Sequence, residues 1–162
     1  MSNGIYKSGI ALLAVLSLLV VMSGIAMGMG GTPGFPQVSI QGQEAVLSPA
    51  MRGMASVFMK IENSGNADDK LVGAKTSIPG AVAELHDVKD GRMSKAESIK
   101  IPSRSTVELK PKGLHIMLFK MPKDTREGSE FTLTLRFEKS GEKKIPVKFV
   151  KAMDDMMRRH NH

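Results

Sequence analysis

The chain has 162 residues, 41% hydrophobic and 24% charged, a composition that suits one globular domain rather than two. It contains no Cys, no Trp, one Tyr and 4% aromatic residues in all. That excludes a disulfide framework, thiolate zinc sites, iron–sulfur ligation, a cysteine nucleophile, a blue-copper centre and a lipid-modified N-terminal Cys, and it argues against aromatic platforms for bases. Thirteen Met stand against four His, under a formal net charge of +7.

Residues 1–31 carry a single charged side chain, Lys7, and the 23 residues from Gly9 to Gly31 carry none. A short basic start before an apolar run predicts an export signal. Gly24-Ile25-Ala26 and Ala26-Met27-Gly28 both offer the small-x-small pattern of a cleavage site. The run is also long enough to span a bilayer as a helix. A cleaved signal peptide and a retained membrane anchor therefore both stay open, with membrane contact through residues 9–30 in the second case. Either way the remaining chain works outside the cytoplasm, in the periplasm or on the outer face of the cytoplasmic membrane. Residues 32–37, rich in Gly and Pro, read as a linker.

From 38 to 150 short β-favouring runs recur about every ten residues, separated by turn chemistry, the pattern of an all-β sandwich or barrel. Ala55–Glu62 ends at Asn63-Ser64-Gly65-Asn66. Lys70–Thr76 and Ala81–Val88 follow, and Asp90-Gly91 predicts a tight hairpin into Met93. Ile99–Ile101, Thr106–Leu109 and His115–Lys120 come next. Phe131–Glu138 alternates strictly between apolar and polar residues, which predicts a half-buried strand. In Ile145–Val150, Pro146 predicts an edge position because it lacks a ladder donor. About eight strands result. Residues 151–162 form a polar, Met-containing tail.

Catalytic patterns are missing: there is no nucleophile elbow, phosphate-binding loop or dinucleotide fingerprint, and the acidic residues are scattered. The expectation is a protein that is not an enzyme. Lysines gather at Lys139, Lys143, Lys144, Lys148 and Lys151, which protection of a solvated edge explains without a nucleic-acid partner.

The informative stretch is His115-Ile116-Met117. On a strand, residues i and i+2 project from one face, so an imidazole and a thioether stand side by side. His86 lies on the strand before the Asp90-Gly91 turn and Met93 just after it, so a hairpin brings both to one end of the molecule. If His115 and Met117 approach that end from a neighbouring strand, His86, Met93, His115 and Met117 form a His2Met2 set. Two neutral nitrogens and two soft sulfurs suit Cu(I), whereas zinc prefers Cys, His or carboxylate and calcium prefers oxygen. The competing explanation is structural: Met is a common core filler, and a strand His is often satisfied by the backbone.

Several runs resemble the periplasmic copper chaperones of the PCu(A)C family. They are Phe58–Gly65, Asp68–Ala74, Ala83-Glu84-Leu85-His86, Asp90-Gly91-Arg92-Met93, Ile101-Pro102, Val107–Pro111 and Gly113–Leu118. The family signature ends in a Met, 21 intervening residues and H-x-M; 21 residues separate Met93 from His115 here. The family's first ligand His carries onto His86. The gap from His86 to Met93, six residues, is shorter than the family's, and Asp87 rather than Met follows the His.

The resemblance implies a cupredoxin-like Greek-key β-sandwich that binds Cu(I) at an exposed site without catalysis. It also implies delivery of copper to an acceptor, with the CuA centre on subunit II of cytochrome c oxidase as the family's best-known target. Some relatives carry Met/His-rich C-terminal extensions that bind a second copper ion, and Met153, Met156, Met157, His160 and His162 are similar in kind. Copper storage or resistance uses the same ligands. A cell-surface Ig-like interaction module, in which His and Met are structural, is the alternative from another class.

Overall fold

The computed structural model describes residues 34–151, which form ten strands. The leader or anchor expected over 1–31 and the Met/His tail beyond Lys151 lie outside the described residues. In chain order the strands are β1 (Val38–Leu47), β2 (Ala55–Asn63), β3 (Asp69–Thr76), β4 (Val82–Lys89), β5 (Arg92–Lys95), β6 (Ile99–Ile101), β7 (Ser105–Leu109), β8 (His115–Phe119), β9 (Glu130–Phe137) and β10 (Gly141–Val150). The predicted all-β class and the eight expected strands are present. The two additions are β1 and the short β5, whose exposed sequence Arg-Met-Ser-Lys carries no hydrophobic alternation.

One curled sheet runs β5-β4-β8-β2-β1-β10-β9-β3-β6, with β7 also pairing with β2. β2 is shared along its length: Ala55–Val57 pair with β8, and Met59–Asn63 pair with β7. The first and last strands lie parallel, Glu44–Val46 beside Lys148–Val150. The other pairs are antiparallel. The two halves of the sheet close on a shared core that includes Val57, Ile61 and Ile116 from one half and Leu71, Leu133 and Phe149 from the other.

Alternation accounts for most of this packing. Phe131, Leu133, Leu135 and Phe137 of β9 all point inward, with Thr132, Thr134 and Arg136 between them. Pro146 does not mark a simple edge. β10 lies between β1 and β9, but β1 reaches only its last three residues. Pro146 pairs with Thr132 of β9 and sits where the other flank of β10 has no ladder, so its missing N–H breaks no bond.

Two buried polar side chains tie the loops to this frame. Asn63 is fully buried, and its Oδ1 accepts from the N–H groups of Gln37 (3.0 Å) and Gly65 (3.1 Å). Its Nδ2 donates to the carbonyls of Ala67 (2.8 Å) and Ile101 (3.3 Å). Asp69 accepts from the N–H groups of Lys70, Lys139 and Ser140 and from the Ser140 hydroxyl at 2.6 Å.

Candidate metal centre

β8 is buried on both faces, which is unusual for a strand with one His and one Met in five residues. Ile116 and Leu118 enter the core, while His115 and Met117 project from the opposite face. Register decides what meets them there. His115 stands directly opposite His86 of β4, and Met117 stands between Glu84 of β4 and Ser56 of β2. Directly paired residues share a face, so His86, Glu84, His115, Met117 and Ser56 form one cluster.

The β4–β5 hairpin supplies the rest. Asp90 (φ 53°) and Gly91 (φ 74°) both take left-handed conformations, as a two-residue type I′ turn requires. This turn sets Val88 opposite Met93 and His86 opposite Lys95. Met93 therefore shares the face of His86 but lies one diagonal step toward the turn, and it is 48% exposed. The nearest β5 residue to His86 is Lys95. Three of the expected ligands are buried together, His86 (8% exposed), His115 (3%) and Met117 (2%), with Met93 at the rim.

The imidazoles lie side by side, ring centroids 5.8 Å apart and planes 40° apart. Phe119 packs 5.6 Å from the His86 ring, and Phe58 lies 6.4 Å from the His115 ring. Each imidazole has one nitrogen engaged and one not. His115 Nδ1 donates to the Gly113 carbonyl at 2.8 Å, and His86 Nε2 is 3.3 Å from Glu84 Oε2. The remaining atoms, His86 Nδ1 and His115 Nε2, are buried and have no hydrogen-bond partner; they are the two such side-chain atoms among the described residues. Stranding a buried polar atom costs about 1–3 kcal/mol. Two at adjacent positions mark a place where the fold forgoes stability.

Electrostatics favours a neutral donor at His115. Burial pushes the His115 imidazole below its ordinary value, and the neighbouring His86 adds to this; the Gly113 carbonyl and Asp87 partly offset it. At neutral pH His115 is thus an uncharged ring with a lone pair on Nε2. Hydrogen bonds from Lys95 and His86 hold the Glu84 carboxyl below its ordinary value, so it is ionised and accepts from both. Lys95 Nζ reaches Glu84 Oε1 at 2.9 Å. The Ser56 hydroxyl donates to Met117 Sδ at 3.4 Å, leaving the thioether a second lone pair. Among the described residues no three His, Cys, Asp or Glu converge as a zinc or calcium site would need. The donors at hand are two imidazole nitrogens and thioether sulfur, a soft set.

Sequence reasoning missed Glu84, Ser56, Phe58 and Phe119 as parts of this cluster. Glu84 and Phe119 were detectable as same-face neighbours of His86 and His115 at even spacing, but Ser56 and Phe58 needed the β2–β8 register. Of the other methionines, Met59 belongs to the core and Met51 is 42% exposed.

The fold defines the class. The chain is similar to the apo PCuAC domain from PmoF1, with a TM-score of 0.62 and 27% identity over 70% of this chain and 93% of that one. It is also similar to the copper-bound PCuAC domain from PmoF2 (TM-score 0.60, 24% identity, 70% and 92% covered). CuI-DR1885 from Deinococcus radiodurans shares the fold as well (TM-score 0.58, 22% identity, 76% and 85% covered). The cupredoxin-like architecture implied by the resemblance is thus the architecture found. Residues 38–149 match the family model "Putative lipoprotein LpqE-like", and the chain belongs to this LpqE-like family. It is 30% identical over 141 residues to "Putative lipoprotein Lxx21020" of Leifsonia xyli subsp. xyli (strain CTCB07), spanning 82% of this chain and 84% of that protein.

Proposed function

We propose that this protein is an extracytoplasmic Cu(I) carrier, without catalysis, in which His86, His115 and Met117 bind the ion and Met93 completes the set from the rim. The observation that carries this reading is the pair of buried, unpartnered imidazole nitrogens beside a buried thioether. An ion bonded to both nitrogens removes the cost of leaving them stranded, and soft thioether donors favour Cu(I) over harder ions. Likeness to a copper-bound PCuAC domain and to CuI-DR1885 supports the same reading.

Copper is the cargo here, so the site has to release it. An exposed thioether at Met93 is a ligand that an incoming acceptor can replace without opening the core. The acceptor in this reading is a copper-requiring protein outside the cytoplasm, with the CuA centre of cytochrome c oxidase subunit II as the first to test. The Met/His tail from Met153 to His162 would hold a second ion. A relative named as a lipoprotein supports export and membrane association. These 162 residues contain no Cys to carry a lipid, so residues 9–30 would supply any membrane contact.

A Cu(I) competition titration under reducing conditions tests the reading, comparing the wild-type chain with His115→Ala and with a chain ending at Val150. One-to-one binding lost in His115→Ala supports the site, and additional stoichiometry lost on truncation supports the tail. Equal, weak uptake by wild type and His115→Ala would return the protein to the metal-free interaction-module reading.

A further inference from the structure

The two imidazoles are held by different nitrogens. The Gly113 carbonyl can only accept, so His115 carries its proton on Nδ1 and presents Nε2. Glu84 turns one oxygen to the Lys95 ammonium at 2.9 Å and the other, Oε2, to His86 Nε2 at 3.3 Å, an acceptor facing the ring that places the His86 proton on Nε2. What remains on His86 is Nδ1, buried and unpartnered. We propose that Glu84 is the positioning residue of this site, fixing the Nε2–H tautomer of His86 so that Nδ1 is the nitrogen presented to Cu(I). The role for copper rests on the carrier reading above; the tautomer assignment does not.

Glu84 is built for this task. It sits two residues before His86 on β4, hence on the same face, and each of its carboxylate oxygens has its own partner: Oε2 faces His86 and Oε1 accepts from Lys95 Nζ at 2.9 Å. Lys95 stands directly opposite His86 on β5, so the hairpin register brings its ammonium to the carboxylate. With both oxygens engaged, the carboxylate plane is set, and Phe119 packed 5.6 Å from the His86 ring limits the ring's freedom on another side. A carboxylate behind an imidazole ligand orients the ring and raises its basicity; losing such a partner commonly costs about 10- to 100-fold in metal affinity. His115 needs no equivalent side chain, because a carbonyl two residues away in its own chain performs the same service.

The test compares the full chain in detergent with Glu84→Ala and Glu84→Gln, the latter keeping an amide oxygen that can still accept from Nε2–H. Side-chain nitrogen NMR of the metal-free proteins reads the tautomer, and Cu(I) competition titration reads affinity. The expected result is an Nε2–H tautomer at His86 in wild type and Glu84→Gln, with loss of that preference in Glu84→Ala. Cu(I) affinity falls about 10- to 100-fold in Glu84→Ala and less in Glu84→Gln. An Nδ1–H tautomer in wild type, or unchanged tautomer and affinity in Glu84→Ala, overturns the assignment. Failure of wild type to take up Cu(I) at all overturns the carrier reading instead, and is seen separately from the tautomer. Glu84 is partly solvent-exposed, and thermal unfolding of both variants close to wild type shows that altered affinity is not a folding defect.

Discussion

His86 and His115 face each other across the β4–β8 ladder, each with one nitrogen hydrogen-bonded and the other buried without a partner. A core position built for stability would not leave both atoms stranded. The arrangement has the character of a functional site, where local stability is given up for a ligand.

That trade is measurable. His115→Leu puts an apolar side chain in place of a buried ring that has one nitrogen bonded to the Gly113 carbonyl and one stranded. The metal-free variant is expected to unfold at a temperature equal to or above that of wild type, while one-to-one Cu(I) binding disappears. A loss of stability exceeding about 1.5 kcal/mol would show that the imidazole serves packing rather than a ligand.

The two methionines separate by burial. Met117→Leu preserves volume in a closed environment and should cost less than about 1.5 kcal/mol. It should nevertheless weaken Cu(I) binding more than Met93→Leu does, because Met117 is fixed beside His115 and Met93 is 48% exposed at the rim. Competition titration of both variants, with thermal unfolding alongside, checks the ranking. The reverse order would place the principal sulfur on the hairpin.

Asn63 is a structural hub. Asn63→Ala strands the N–H groups of Gln37 and Gly65 and removes the donor to Ala67 and Ile101, contacts that are buried at Gly65 and Ile101 and part-buried at the other two. With about 1–3 kcal/mol for each buried group left unpaired, a loss of about 3 kcal/mol is expected in denaturant unfolding. Cu(I) affinity of the folded fraction should not change, since Asn63 is on the opposite end of β2 from Ser56.

Asp69 makes stability depend on acid. Burial alone would raise its pKa, but hydrogen bonds from Ser140, Lys139 and Lys70 outweigh that and hold the carboxyl below its ordinary value. A carboxyl depressed in the folded state binds fewer protons there than in the unfolded chain. Its contribution is therefore complete above about pH 4 and lost as pH falls through the folded value. Asp69→Asn should be less stable than wild type at pH 7, with the difference narrowing below about pH 4. Parallel unfolding curves across that range would exclude the role.

Much of the architecture was legible in the residues alone. Alternation in Phe131–Phe137, the turn at Asp90-Gly91 and the spacing of His115 from Met117 depend on local geometry, where side-chain period and left-handed turn residues act within a few positions. They account for eight of the ten strands; the other two are β1 and β5, and the four exposed residues of β5 are held by the turn and by pairing with β4 rather than by any burial of their own. The PCu(A)C resemblance, carried by motifs in order, anticipated the fold that was found.

What local pattern could not reach is register. A slip of one residue between β4 and β8 would turn His86 away from His115 and into the core, and no feature of either strand by itself states which alignment holds. The same holds for Pro146, whose strand is interior although its own flank is open. Pairing between strands far apart in the chain is decided by the closure of the whole sheet on its core. The residue types for soft-metal chemistry were therefore present in the sequence, and the choice of which nitrogen atoms are left open belongs to the folded sheet.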